Sequence, residues 1–88
     1  MAQARFRVEG RVQGVGFRAW TRAQALPLGL SGYARNLADG GVEVVVAGEE
    51  TAIDALAARL LHGPALARVD RVDRHAHGAP VAPGFLTG

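Results

Sequence analysis

The residues best suited to chemistry lie near the start of the chain, where Gly10, Gly14 and Gly16 run into Phe17 and Arg18. Glycine reaches backbone angles and close approaches that a Cβ forbids, so Gly14 and Gly16 let the main chain curl around a ligand. If a helix begins at Phe17, its first N–H groups lack intrahelical partners. Together with the positive end of the helix dipole, they favour an anion. Arg18, at the start of that helix, would add a planar fork of donors matched to phosphate. The residues alone leave a second reading open, a glycine-rich connection followed by a solvated arginine. Further along, Asn36 is the only asparagine of the chain. It falls in an expected strand, where Asn is disfavoured, and its amide can hold a water but cannot remove a proton at neutral pH.

Other candidate chemistries carry less. The run Gly14-Val15-Gly16-Phe17-Arg18-Ala19 matches a dinucleotide fingerprint, and Asp39 follows at about the twenty-residue distance that motif requires. Asp39, however, belongs to a hairpin turn rather than to the end of a parallel strand, so the match is accidental. His75 and His77 alternate on one face of an expected strand. Imidazole is a common metal ligand, but no third ligand accompanies them, and they read as surface histidines. Arg68, Arg71 and Arg74 interleave with Asp70 and Asp73, the pattern of a solvated, ion-paired edge. Arg35 is expected to face solvent, and Trp20 and Tyr33 to pack. With no cysteine, disulfides, thiolate catalysis and the common structural zinc sites are all excluded.

The elements that must position these residues follow from periodicity. Arg5 to Glu9 alternate, with Phe6 and Val8 on one face, as in a half-buried strand. Gly10 to Gly16 form a loop. Phe17 to about Leu26 predict a helix with a thin stripe of Phe17, Trp20, Ala23 and Leu26, ended early or irregularly by Pro27. After a connection at Gly29 to Gly32, Tyr33 to Leu37 predict a second strand. Asp39-Gly40-Gly41 marks a hairpin, and Val42, Val44 and Val46 give the inward face of a third strand. A short hairpin makes these two strands antiparallel. The second helix opens with Glu49 and Glu50 in its first turn, buries Ile53, Leu56, Ala57, Leu60 and Leu61, and carries His62 in its last turn. Gly63-Pro64 stops it. Val69 and Val72 open a last strand to about His77, and the tail from Gly78 to Gly88 offers only Phe85-Leu86 for packing. The order strand, helix, strand, strand, helix, strand predicts an α+β, ferredoxin-like split βαβ fold. Its antiparallel four-stranded sheet carries both helices on one face, with room for a short fifth strand around Phe85.

Composition sets the outer bounds. A length of 88 residues predicts one domain spanning 1–88, and 49% hydrophobic with 20% charged residues describes a globular chain. The net charge is +2 although the pI is near 10.4, because every basic residue is arginine. So slight a balance fits a small anionic substrate and does not demand nucleic acid. The first eleven residues carry three arginines, unlike a signal peptide. No apolar run approaches the roughly 20 residues that cross a bilayer. A cytoplasmic protein without membrane attachment is expected.

The segments Gly10-Arg11-Val12-Gln13-Gly14-Val15-Gly16-Phe17-Arg18, Gly32-Tyr33-Ala34-Arg35-Asn36 and Asp39-Gly40 together resemble acylphosphatases. The likeness continues through Gly48-Glu49-Glu50 and Gly63-Pro64 and weakens after Val72. It implies hydrolysis of carboxylic–phosphoric anhydrides to carboxylate and phosphate, with neither metal nor cofactor. It assigns phosphate binding to Arg18 and to the backbone N–H groups of Gln13, Gly14, Val15, Gly16 and Phe17, and the orientation of the attacking water to Asn36. The expected partner is a small acyl phosphate, with no nucleic acid, and the chain is expected to act as a monomer. Two rivals stand beside this reading. One is a domain that binds acyl or carbamoyl phosphate without turnover, using the same loop. The other is an RNA-binding module of the same strand and helix order, against which the aliphatic third strand counts heavily.

Overall fold

The computed structural model describes residues 1–87. Its elements are β1 (Ala2–Arg11), α1 (Phe17–Ala25), β2 (Ser31–Asn36), β3 (Val42–Gly48), α2 (Glu50–Leu60), β4 (Arg68–Ala76) and β5 (Phe85–Leu86). The sheet order is β4-β1-β3-β2-β5. β1 pairs antiparallel with both β3 and β4, and β2 pairs antiparallel with β3. This is the expected four-stranded antiparallel sheet. β5 extends it by pairing parallel to β2, Gly32 with Phe85 and Tyr33 with Leu86, so the complete sheet is mixed. Gly88, last residue of the tail considered above, lies outside the described residues.

β3 is the centre of the molecule. Every residue from Val42 to Gly48 is buried, although only one face of the sheet carries helices. Val42, Val44 and Val46 meet those helices together with Phe6, Val8, Ile53, Leu56 and Leu60. On the opposite face Val45 lies between Arg5 and Tyr33, and Glu43 between Arg7 and Arg35. The long stems of these neighbours cover β3 while their polar ends reach water. Glu43 is 9% exposed, and its carboxylate accepts from Arg35 Nε at 2.8 Å, with Arg5 at 3.8 Å.

The buried stripe of α1 differs from the expected one. Phe17, Thr21 and Ala25 are buried, Trp20 packs partly against the core, and Ala23 and Leu26 face solvent. Thr21 can be buried because its hydroxyl donates to the carbonyl of Phe17 at 2.8 Å, which removes the cost of an unpaired polar group. Pro27 does stop the α-helix early. Leu26–Leu28 continue as a short 3-10 turn, with Gly29 N–H donating to Leu26 O at 3.0 Å. In α2 the buried residues are Ile53, Leu56 and Leu60, while Leu61, the C-cap residue, is 59% exposed. Glu49 is the N-cap residue, Glu50 stands in the first turn and Arg59 in the last; His62 lies beyond the helix.

Candidate functional site

Because β1 and β2 both run antiparallel to β3, they point the same way, and their C-terminal ends share one edge of the sheet. The loop 12–16 leaves β1 at that edge, and Asn36 ends β2 there. Topology therefore brings together two motifs well separated in sequence.

The loop has the geometry of an anion cradle. Gly14 and Gly16 have φ of 75° and 76°, the left-handed region that residues with a Cβ avoid. A Cβ at either would meet nothing within 4 Å, so the requirement is conformational rather than steric. Gly16 caps α1, and no side chain caps the helix in its place. Among the described residues, the N–H groups of Gly14, Val15 and Gly16 donate to no backbone carbonyl. They are available, beside the positive end of α1, to an anion.

Arg18 is the second residue of α1 and half-buried. Its Nη1 donates to the carbonyl of Thr87 at 3.0 Å, and one turn later Arg22 Nε donates to the carbonyl of Phe85 at 3.2 Å. The C-terminal segment thus lies along the flank of α1 that carries these arginines. One of the five guanidinium donors of Arg18 is spent on this contact, which steadies the fork beside the loop.

Asn36 follows Gly32 and Ala34 on the face of β2 that meets the helices, but it stands at the strand end and is exposed. The turn beyond it is tightly held. Leu37 N–H donates to Gly41 O at 2.8 Å, and Gly41 N–H to Asp39 Oδ1 at 3.0 Å. The side chain of Gln13 reaches into this turn from the loop, Nε2 donating to both Leu37 O and Gly41 O at 2.8 Å. The family resemblance assigns Gln13 only a backbone role. Glutamine in a glycine loop announces nothing about a partner twenty-four positions away. The contact of Thr87 with Arg18 was equally hidden, since a backbone carbonyl carries no side-chain signature.

The remaining candidates lie elsewhere. His75 is exposed on β4, opposite Arg5. Among the described residues no cluster of three His, Asp or Glu side chains could hold a metal ion. Arg35 is paired with Glu43 on the face away from the helices. Trp20 packs on Phe17, ring centroids 5.5 Å apart. A hollow of about 190 Å³ on the open face is lined by Arg5, Arg7, Leu37, Glu43 and His75. Arg7 is there engaged with Asp39, and Arg5 with Glu43.

Comparison with known proteins gives one answer. A family model described as acylphosphatase matches residues 4–85. An acylphosphatase of Xanthomonas euvesicatoria is 54% identical over 88 residues, covering 100% of both chains. Among solved structures, an acylphosphatase from Coxiella burnetii superposes with a TM-score of 0.93 at 34% identity, covering 99% of this chain and 92% of that one. The acylphosphatase of Bacillus subtilis gives 0.90 at 30% identity, covering 99% and 97%. HypF of T. kodakarensis matches at 0.87 and 36% identity over 100% of this chain but only 12% of its own. With its loop, fold and relatives in agreement, the chain belongs to the acylphosphatase family, whose members are hydrolases.

Proposed function

We propose that the chain hydrolyses the carboxyl–phosphate bond of small acyl phosphates, with the phosphate held by the 13–17 backbone and Arg18 and the attacking water held by Asn36. The observation that carries this division of labour is the shared sheet edge, where the loop leaving β1 and the asparagine ending β2 are brought together. Phosphoryl transfer asks a protein chiefly for positioning and charge stabilisation. The loop N–H groups and the guanidinium of Arg18 meet the charge on the equatorial oxygens. Asn36 orients water through its amide, and the proton released by that water passes to the phosphate. A carboxylate leaves readily, so no general acid and no covalent nucleophile are called for, and no step needs a metal or cofactor.

Among the described residues no helix is long and apolar enough to cross a membrane, and the family acts on a small molecule. We place the chain in the cytoplasm as a monomer. The charges on the open sheet face are largely paired with one another, which supports a small-molecule site over a nucleic-acid surface. A second reading is binding of an acyl or carbamoyl phosphate without turnover, which would use the same loop and helix N-terminus.

Benzoyl phosphate separates the two. Release of inorganic phosphate by the purified protein, unchanged in EDTA, is the expected outcome; binding without release would leave the second reading standing. Arg18→Ala should raise the phosphate inhibition constant and lower kcat/KM by about 100- to 1,000-fold, as when a preorganised charge-stabilising donor is lost.

A further inference from the structure

We propose that the side chain of Gln13 is a positioning residue, a clasp that sets the distance between the phosphate cradle and the water held by Asn36. The proposal rests on the assignment of Asn36 given above.

The two halves of the site sit on different elements. The cradle belongs to the β1–α1 loop, and Asn36 belongs to the end of β2, with β3 between them in the sheet. Sheet pairing fixes β2 against β3, but the loop has left the sheet by Val12, and at Gly14 and Gly16 no Cβ restricts its backbone. Something must tie it to the far side. Gln13 Nε2 donates to Leu37 O and Gly41 O, 2.8 Å each. Leu37 is the residue after Asn36, and Leu37 with Gly41 closes the hairpin through a 2.8 Å hydrogen bond. The clasp therefore grips the turn at its base, one residue from the side chain that aims the water.

The chemistry of the clasp is specific. Two carbonyl oxygens need two N–H donors on one atom, at the end of a side chain long enough to cross from the loop. Glutamine supplies both without charge. Glutamate, of the same shape, is an acceptor only when ionised and would turn an oxygen towards two carbonyl oxygens. A near-attack geometry is sensitive to displacements of about 1 Å, which can cost on the order of 100-fold in rate. Releasing the clasp should therefore lower turnover while each half of the site remains intact.

The test is a double-mutant cycle on benzoyl phosphate hydrolysis, with kcat, the inhibition constant for inorganic phosphate and Tm measured for each protein. Gln13→Glu and Gln13→Met are both used, so that repulsion and simple loss of the donors are read separately. Each should lower kcat by about 10- to 100-fold and change phosphate inhibition by less than about threefold. In the Asn36→Ala background the same changes should have no further effect on kcat, because the water they misplace is no longer held. Full kcat in both Gln13 variants would overturn the clasp. So would an equal loss of kcat in the wild-type and Asn36→Ala backgrounds, or a change that merely follows the folded fraction given by Tm. If Asn36→Ala alone leaves kcat intact, the assignment of Asn36 fails first, and the proposal with it.

Discussion

In the proposed site, Arg18 and Gly16 divide phosphate binding between charge and backbone. The guanidinium of Arg18 is half-buried and held by Thr87 O, so its fork is presented in one orientation rather than swept through solvent. Lysine would keep the charge but lose the planar pair of donors. Arg18→Lys is therefore expected to recover only part of the phosphate affinity lost in Arg18→Ala, by competitive inhibition with inorganic phosphate. Gly16 contributes no side chain at all. Its φ of 76° is the left-handed conformation that turns the loop into α1. Gly16→Ala should cost about 1–2 kcal/mol, the penalty for an L-residue there, read as a fall in Tm of about 4–8 °C per kcal/mol for a domain of this size. The same variant should bind phosphate more weakly, since relief of the strain moves the N–H groups. A destabilised variant with intact phosphate affinity would separate the turn from the cradle.

The elements differ in how plainly they were written in the sequence. The hairpin of Asp39-Gly40-Gly41 was legible because turn residues are punctuation, and Asn36 ended up beside it as expected. The loop and Arg18 read as a candidate anion site from their residues alone, and the resemblance that joins them to the Asn36 segment makes that a proposed phosphate cradle. The face of α1 was not. Apolar spacing predicts Ala23 and Leu26 on the buried face, whereas the helix buries Thr21 and Ala25. A hydroxyl that bonds to the carbonyl one turn back behaves as a small core residue, and hydropathy alone does not register that. Burial on both faces of β3 was also hidden, because its outer cover is made of arginine and tyrosine stems from other strands. β5 is two residues long, too short for any periodicity, yet Phe85 is 5% exposed and belongs to the core. Phe85→Ala should cost about 3–5 kcal/mol. It should also loosen the C-terminal segment whose carbonyls hold Arg22 and Arg18. Thermal unfolding and the phosphate inhibition constant should therefore move together; stability lost with Arg18 function untouched would show that the segment only packs.

At the scale of the whole molecule, the core and the site occupy different parts of one framework. Ile53, Leu56 and Leu60 hold α2 against the sheet, while the loop and Asn36 crown the edge where β1 and β2 end. Leu56→Ala should lower stability by about 2–5 kcal/mol and leave kcat per folded molecule unchanged at a temperature where the variant is folded, measured by activity beside circular dichroism. The proposed site is defined by a separation of binding from turnover. That separation is read most directly by comparing Asn36→Ala with Arg18→Ala on benzoyl phosphate, with kcat and the inhibition constant for inorganic phosphate determined for each. Asn36→Ala should lower kcat by about 100-fold or more and leave phosphate inhibition near the wild-type value, whereas Arg18→Ala should damage both. Collapse of phosphate inhibition in Asn36→Ala, or retention of its kcat, would contradict the assignment of the water to Asn36.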